Sequence, residues 1–322
     1  MHKMTSRFLD WWFRPHHPFA LRIFEVLICF SMTIYFTSYL GGLDIWISDT
    51  GFHLSASATS SNYLKPPPLV PQDWLNVVVV GFYSLMTLYM LGYARRFIAF
   101  VFFLGAVYVQ AVDQPSAFTV NRMFIVSFLV LSLQPPEYEE DGRRYISGWV
   151  VRFFQLTLLV QYSTSGVCKA NPGDWIIWEP FGFHWNIVWT QSQGHYKNIL
   201  TAYALNYLPW FVWYTLSLFS YLFELMAPLW FGWKKSRYWA VGFGIFFHLG
   251  IAVLMKDLIY FSFQMITSYI LFIHVIPLLK AERWLLSKLG RQPSEQHQLE
   301  LRLHEDQHEE LLQSETADSK EA

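Results

Sequence analysis

The chain has 322 residues, of which 53% are hydrophobic, 19% aromatic and only 15% charged, with a net charge of -1 and a mean hydropathy of +0.25. This composition lies outside the soluble range, and without a basic surplus no nucleic-acid reading follows. Charges collect in short connections and in the C-terminal tail, leaving long uncharged runs, as in a polytopic protein whose main partner is the lipid bilayer.

About 20 residues carry a helix across a bilayer. On that measure the hydropathy predicts an all-α helical bundle of about eight transmembrane helices, at 19 to 41, 74 to 92, 97 to 112, 120 to 134, 149 to 169, 208 to 231, 238 to 255 and 259 to 279. The membrane domain is residues 1 to 282. Residues 283 to 322 form a polar tail, helical or disordered. The first apolar run carries Arg22 and Glu25 and lacks a small-residue cleavage site, so it reads as a retained helix rather than a signal peptide. Cys29 and Cys168 fall within or at the end of apolar segments, and no disulfide framework is needed. There is no internal repeat and no matched pair of broken spans, which argues against an inverted-repeat transporter.

Positive charge sets the orientation. Fourteen Lys and Arg residues lie on one side, in the N-terminal segment, in the connections after spans two, four and six, and after span eight. Five lie on the other, Lys65, Arg122, Lys169, Lys197 and Lys256. Both termini are therefore expected in the cytoplasm, with Lys169 at the outer side of the cell membrane. Two outer connections are long, 42 to 73 with its proline run and 170 to 207 with Trp175, Trp178, Trp185 and Trp189. Tryptophan favours the headgroup layer, so the second is either an interfacial belt or a roof over a pocket.

Lys169 closes the apolar stretch of span five. An ammonium there must snorkel to water, pair with an acid or give up its proton, and only the last makes it a base. Gln155, Tyr162 and Lys169 are spaced by seven and share a helical face, either as interhelical glue or as a ligand-facing stripe. Glu224 in span six and His248 in span seven are the other deep ionisable groups. Each is a functional candidate by depth, although Glu224 has Arg152 as a possible partner and a lone buried histidine is often only a satisfied hydrogen-bonding residue. Asp174 either pairs with Lys169 or caps the next helix through the turn Asn171 to Asp174, beside Trp175. No metal-ligand spacing and no Gly-x-Ser-x-Gly elbow occurs, so no metal is expected.

Three strings in order, YSTSGVCKANPGDW around Lys169, FELMAP (Phe223 to Pro228) and FHLGIAVLMKDLIYFSFQM (Phe247 to Met265), resemble the horizontally transferred transmembrane (HTTM) domain family, related to vitamin K-dependent gamma-carboxylase. The resemblance covers roughly residues 14 to 280. It implies a membrane site at which Lys169 is the base that deprotonates vitamin K hydroquinone or another lipid quinol, with Glu224 and His248 at the matching acid and histidine positions. Gln155, Tyr162, Asp174 and Trp175 would complete a quinol- or substrate-binding site. The carboxylase's extra luminal region and its further histidine ahead of the lysine-bearing span have no counterpart between Pro115 and Trp149. Some relatives resemble proteins that help mature a secreted toxin peptide, so the second reading is a non-enzymatic partner in maturation or export of a secreted peptide, carried by the outer loops.

Overall fold

The computed structural model describes residues 2–51, 67–112, 119–140, 143–170, 199–255 and 258–289, with short pieces at 176–177, 182–183, 192, 298 and 301–303. The helices are α1 (His2–Phe13), α2 (Phe19–Ser38), α3 (Leu43–Ile47), α4 (Leu75–Met90), α5 (Arg95–Val112), α6 (Thr119–Leu133) and α7 (Gly148–Lys169). They continue with α8 (Ile199–Tyr207), α9 (Trp210–Leu225), α10 (Ala227–Gly232), α11 (Lys234–Leu254), α12 (Ile259–Ser268) and α13 (Val275–Lys288). Two small antiparallel hairpins, Tyr138–Glu140 with Arg143–Tyr145 and Ile176–Ile177 with Gly182–Phe183, are the paired strands among the described residues.

Among the described residues, four helical segments are long and apolar enough to cross a membrane: Phe19–Ile47, Gln72–Met90, Arg95–Val112 and Lys234–Leu254. A fifth is counted if Ile259–Phe272 and Val275–Lys288 are taken as one broken span. Helix is the structure that closes every backbone hydrogen bond within its own segment, which hydrocarbon demands. Hydroxyls inside these helices are satisfied in the same local way: Thr33 donates to the Cys29 carbonyl at 2.8 Å and Thr37 to the Thr33 carbonyl at 2.6 Å.

Aromatic contacts fix the order of the bundle. Phe24 lies 4.6 Å from Phe154, Phe36 stacks 4.1 Å from Phe82, and Tyr35 meets both Phe124 and Tyr260. α2 is thus the central post, touching α4, α6, α7 and α12. Successive spans alternate in direction, since the start of α2, the start of α5 and the end of α6 share one end of the bundle, where Glu25 meets Arg22, Gln134 and Arg95. We call this the inner end. Here the first hairpin docks on the N-terminal segment through the His16 to Ile146 bridge, and Gly148 admits the chain because a Cβ would run into the Arg14 carbonyl.

The last predicted span is reshaped. Instead of one helix over 259 to 279, the chain turns at Ile273 and His274, and the two arms are bent by 109°. Pro277 has no N–H and crowds the preceding turn, so a continuous helix through it would lose a hydrogen bond. His274 starts the new helix by accepting from the Ile276 N–H at 3.4 Å. α13 then runs on to Lys288.

Candidate functional site

α7 is 22 residues long, enough to cross a bilayer, yet its apolar run is interrupted by Arg152, Gln155, Gln161 and a string of hydroxyls. Those interruptions build the site. At Gly166 the helix touches α9 backbone to backbone, because an added Cβ would come within 2.6 Å of the Leu225 N and Cα. Small residues permit this approach between membrane helices.

One turn further along α7, Lys169 Nζ lies 2.6 Å from Glu224 Oε2 and 3.3 Å from Ser220 Oγ, both on α9. The side chains of Lys169 and Glu224 are only 16% and 9% exposed, so this is an enclosed pair and not a surface contact. Opposite charges at this distance neutralise each other where an unpaired charge would cost several kcal/mol. Of the roles open to Lys169 from sequence, pairing is the one seen. Its acid is Glu224. Arg152, the other partner considered for Glu224, instead donates to Gln155 Oε1 at 3.0 Å and lies 4.5 Å over the ring of Trp11.

Seven residues before Lys169, about 10 Å deeper at 1.5 Å per residue, stands a second cluster. Tyr162 shares a 2.7 Å hydrogen bond with His248 Nε2 and another with the Tyr269 hydroxyl. All three are buried. Phe231 stacks on the rings of both Tyr162 and Tyr269, and Gly244 leaves the room that the Tyr269 ring fills. His248 Nδ1 is buried with no hydrogen-bond partner among the described residues, a polar atom with capacity for one more donor or acceptor.

The predicted residues separate by depth. Lys169 and Glu224 meet directly, and Tyr162 and His248 meet two turns below them. Gln155 does not join them: its amide donates to the Leu271 carbonyl at 2.7 Å toward the inner end, fourteen residues or about 21 Å along the helix from Lys169. Asp174 and Trp175 lie outside the described residues. Two contributors were missed from sequence. Ser220 could have been found, since it precedes Glu224 by one helical turn. Tyr269 carried no signal, being one aromatic among many in an apolar run.

No protein-family model, curated protein or solved structure matches this chain.

Proposed function

We propose that this is a multi-pass membrane protein of the gamma-carboxylase-like HTTM type, in which the Lys169–Glu224 pair handles a proton for a lipid-borne quinol at an outer-facing site. The observation that carries this reading is the 2.6 Å contact between Lys169 and Glu224, which joins two of the three resembling strings, while His248 of the third lies two turns below. On this reading all eight predicted segments cross the membrane. The alternating direction of successive spans supports it, as do the 22-residue length of α7, whose hydropathy is lowered by Arg152, Gln155 and Gln161, and the continuation of α9 by α10. Both termini are cytoplasmic by the charge bias.

The chemistry is proton transfer. Lys169 passes one proton to Glu224 Oε2, leaving a neutral amine and a neutral acid. The amine nitrogen then takes the proton of a substrate hydroxyl, and the new ammonium sits between Ser220 and Glu224. The unpartnered Nδ1 of His248 fits a ligand that offers a second polar group at depth. A bound quinol would supply the reducing equivalents.

A second reading is favoured by the same pair. Lys169 and Glu224 satisfy each other, as an interhelical tether would, and the outer connections would then carry the function as a partner in maturation or export of a secreted peptide. The deciding experiment uses purified protein in lipid nanodiscs with a menaquinol-type lipid. The reactivity of Lys169 toward an amine-selective reagent is read by peptide mass spectrometry, and quinol-dependent oxygen uptake is followed in parallel. The enzymatic reading expects quinol to protect Lys169, and expects the charge-swapped Lys169→Glu/Glu224→Lys protein to fold without oxygen uptake. No protection, no uptake by the unaltered protein and a folded swap would leave the tether reading standing.

A further inference from the structure

A cavity lies away from Lys169. It measures about 360 Å³ and lies among α2, α3, α4, α5 and α6, toward the end of the bundle opposite Glu25. Its walls include Phe36, Phe82, Phe102, Trp46 and Val78, and almost no polar surface faces it. One buried amide does reach it: Asn121, at the start of α6, is 6% exposed and lines the cavity. A site of this size falls at the low end of small-molecule pockets, roughly 300–1,000 Å³. It is too small for a partner helix, whose diameter with side chains is about 10–12 Å.

We propose that this cavity is a binding site for one acyl chain of an outer-leaflet phospholipid, with Asn121 hydrogen-bonded to the ester at the head of the chain. Three observations converge on that occupant. The cavity is walled by α4 and α5, both long and apolar enough to span, so a ligand enters from hydrocarbon and not from water. α4 is the most loosely held of these, with 11% of its apolar window buried, so this wall faces the lipid along most of its length. Finally, the polar end is the start of α6, at the end of the bundle where Tyr108 donates to the Pro68 carbonyl and Trp46 packs on Tyr39. Aromatic and amide groups at that level match the depth of a glycerol ester, while the phenylalanines below match the chain. An apolar cavity does not hold water well, and an apolar guest gains both hydration free energy and dispersion contacts by filling it.

The test uses the full-length protein in nanodiscs containing phosphatidylcholine with a diazirine near the end of one acyl chain. After illumination, labelled peptides are mapped by mass spectrometry. Labelling of Phe82 and Phe102 is expected to saturate with probe and to be displaced by unlabelled phosphatidylcholine, whereas the outward-facing Val80 and Phe97 label in proportion to probe. Gly105→Phe fills the cavity, because nothing lies within 4 Å of a Cβ added there. It should reduce labelling at Phe82 and Phe102 at least tenfold and leave Val80 and Phe97 unchanged. Asn121→Leu keeps the cavity and removes the amide, and should weaken probe saturation severalfold, a readout that stands even if Gly105→Phe does not fold. Non-saturating labelling at Phe82 and Phe102, or labelling displaced by a polyprenyl alcohol and not by phospholipid, would overturn the proposal.

Discussion

The two halves of the bundle place their buried charge differently. In α2 and α4 to α6, aromatic rings fill the middle and the buried charge, Glu25, sits at the inner rim, where it is held by Arg22, Arg95 and Gln134 and Arg22 also holds Glu137. In α7 and α9 to α12, the polar groups lie within the packing itself, as the Lys169–Glu224 pair above the Tyr162, His248 and Tyr269 cluster. Glu25 is itself enclosed, but its arginine partners are 26% and 33% open, so water and headgroups share the solvation of the rim network, whereas both members of the Lys169–Glu224 pair are mostly enclosed. A fold needs only the first arrangement. The second is where a membrane protein accepts a cost for chemistry or for specificity.

Breaking one member of the enclosed pair is the strongest test of this contrast. Glu224→Leu should destabilise the protein by about 3–5 kcal/mol, because the enclosed Lys169 ammonium loses the carboxylate 2.6 Å away. The double variant Lys169→Met/Glu224→Leu should recover most of that loss in reversible unfolding in mixed micelles. At the rim, Glu25→Leu should cost less, about 1–3 kcal/mol. Arg22 keeps Glu137, and the Arg22 and Arg95 side chains are already 26% and 33% open. A larger loss at Glu25 than at Glu224 would invert the comparison.

Glycines sharpen it at the level of helix packing. Gly166→Ala forces α7 from α9 and should cost about 1–3 kcal/mol, with Lys169 losing its short contact to Glu224. Gly105→Ala in α5 meets open space and should stabilise its helix by about 0.5–1 kcal/mol. Both are read from the same unfolding curves.

The smallest effect is expected at the membrane edge. Burial, reinforced by the charge of Arg152, pulls His16 down to about 4 from the usual 6.5. The folded state favours the neutral ring, so its contribution is complete above pH 6.5 and is lost as pH falls toward about 4. The slope is at most about 1.4 kcal/mol per pH unit. Hydrogen exchange at Ile146, whose N–H donates to the His16 carbonyl at 2.8 Å, should rise over that window. His16→Gln should flatten the response.

The apolar runs were legible because a helix in hydrocarbon must be long and uncharged. The predicted boundaries of α4, α5, α6 and α7 therefore fall within about three residues of the observed ones. Pro277 sits within the last predicted span, and yet hydropathy read through it, because a bend changes direction without changing composition. Depth also singled out Lys169, Glu224 and His248, since ionisable groups are rare there. Period alone placed Gln155 on the same stripe, but a shared face says nothing of depth, and Gln155 belongs to the inner end.

What the sequence determined by itself is the all-helical, membrane-compatible character of the chain and the short list of residues too costly to bury without a reason. Only the tertiary structure decided their partners. Whether Glu224 meets Arg152 or Lys169 depends on how closely α7 and α9 approach, and that is set by one glycine against a backbone 59 positions away in the sequence, at Leu225. Periodicity describes one helix at a time, while pairing, cavities and the bend at Ile273 arise from how helices pack against each other.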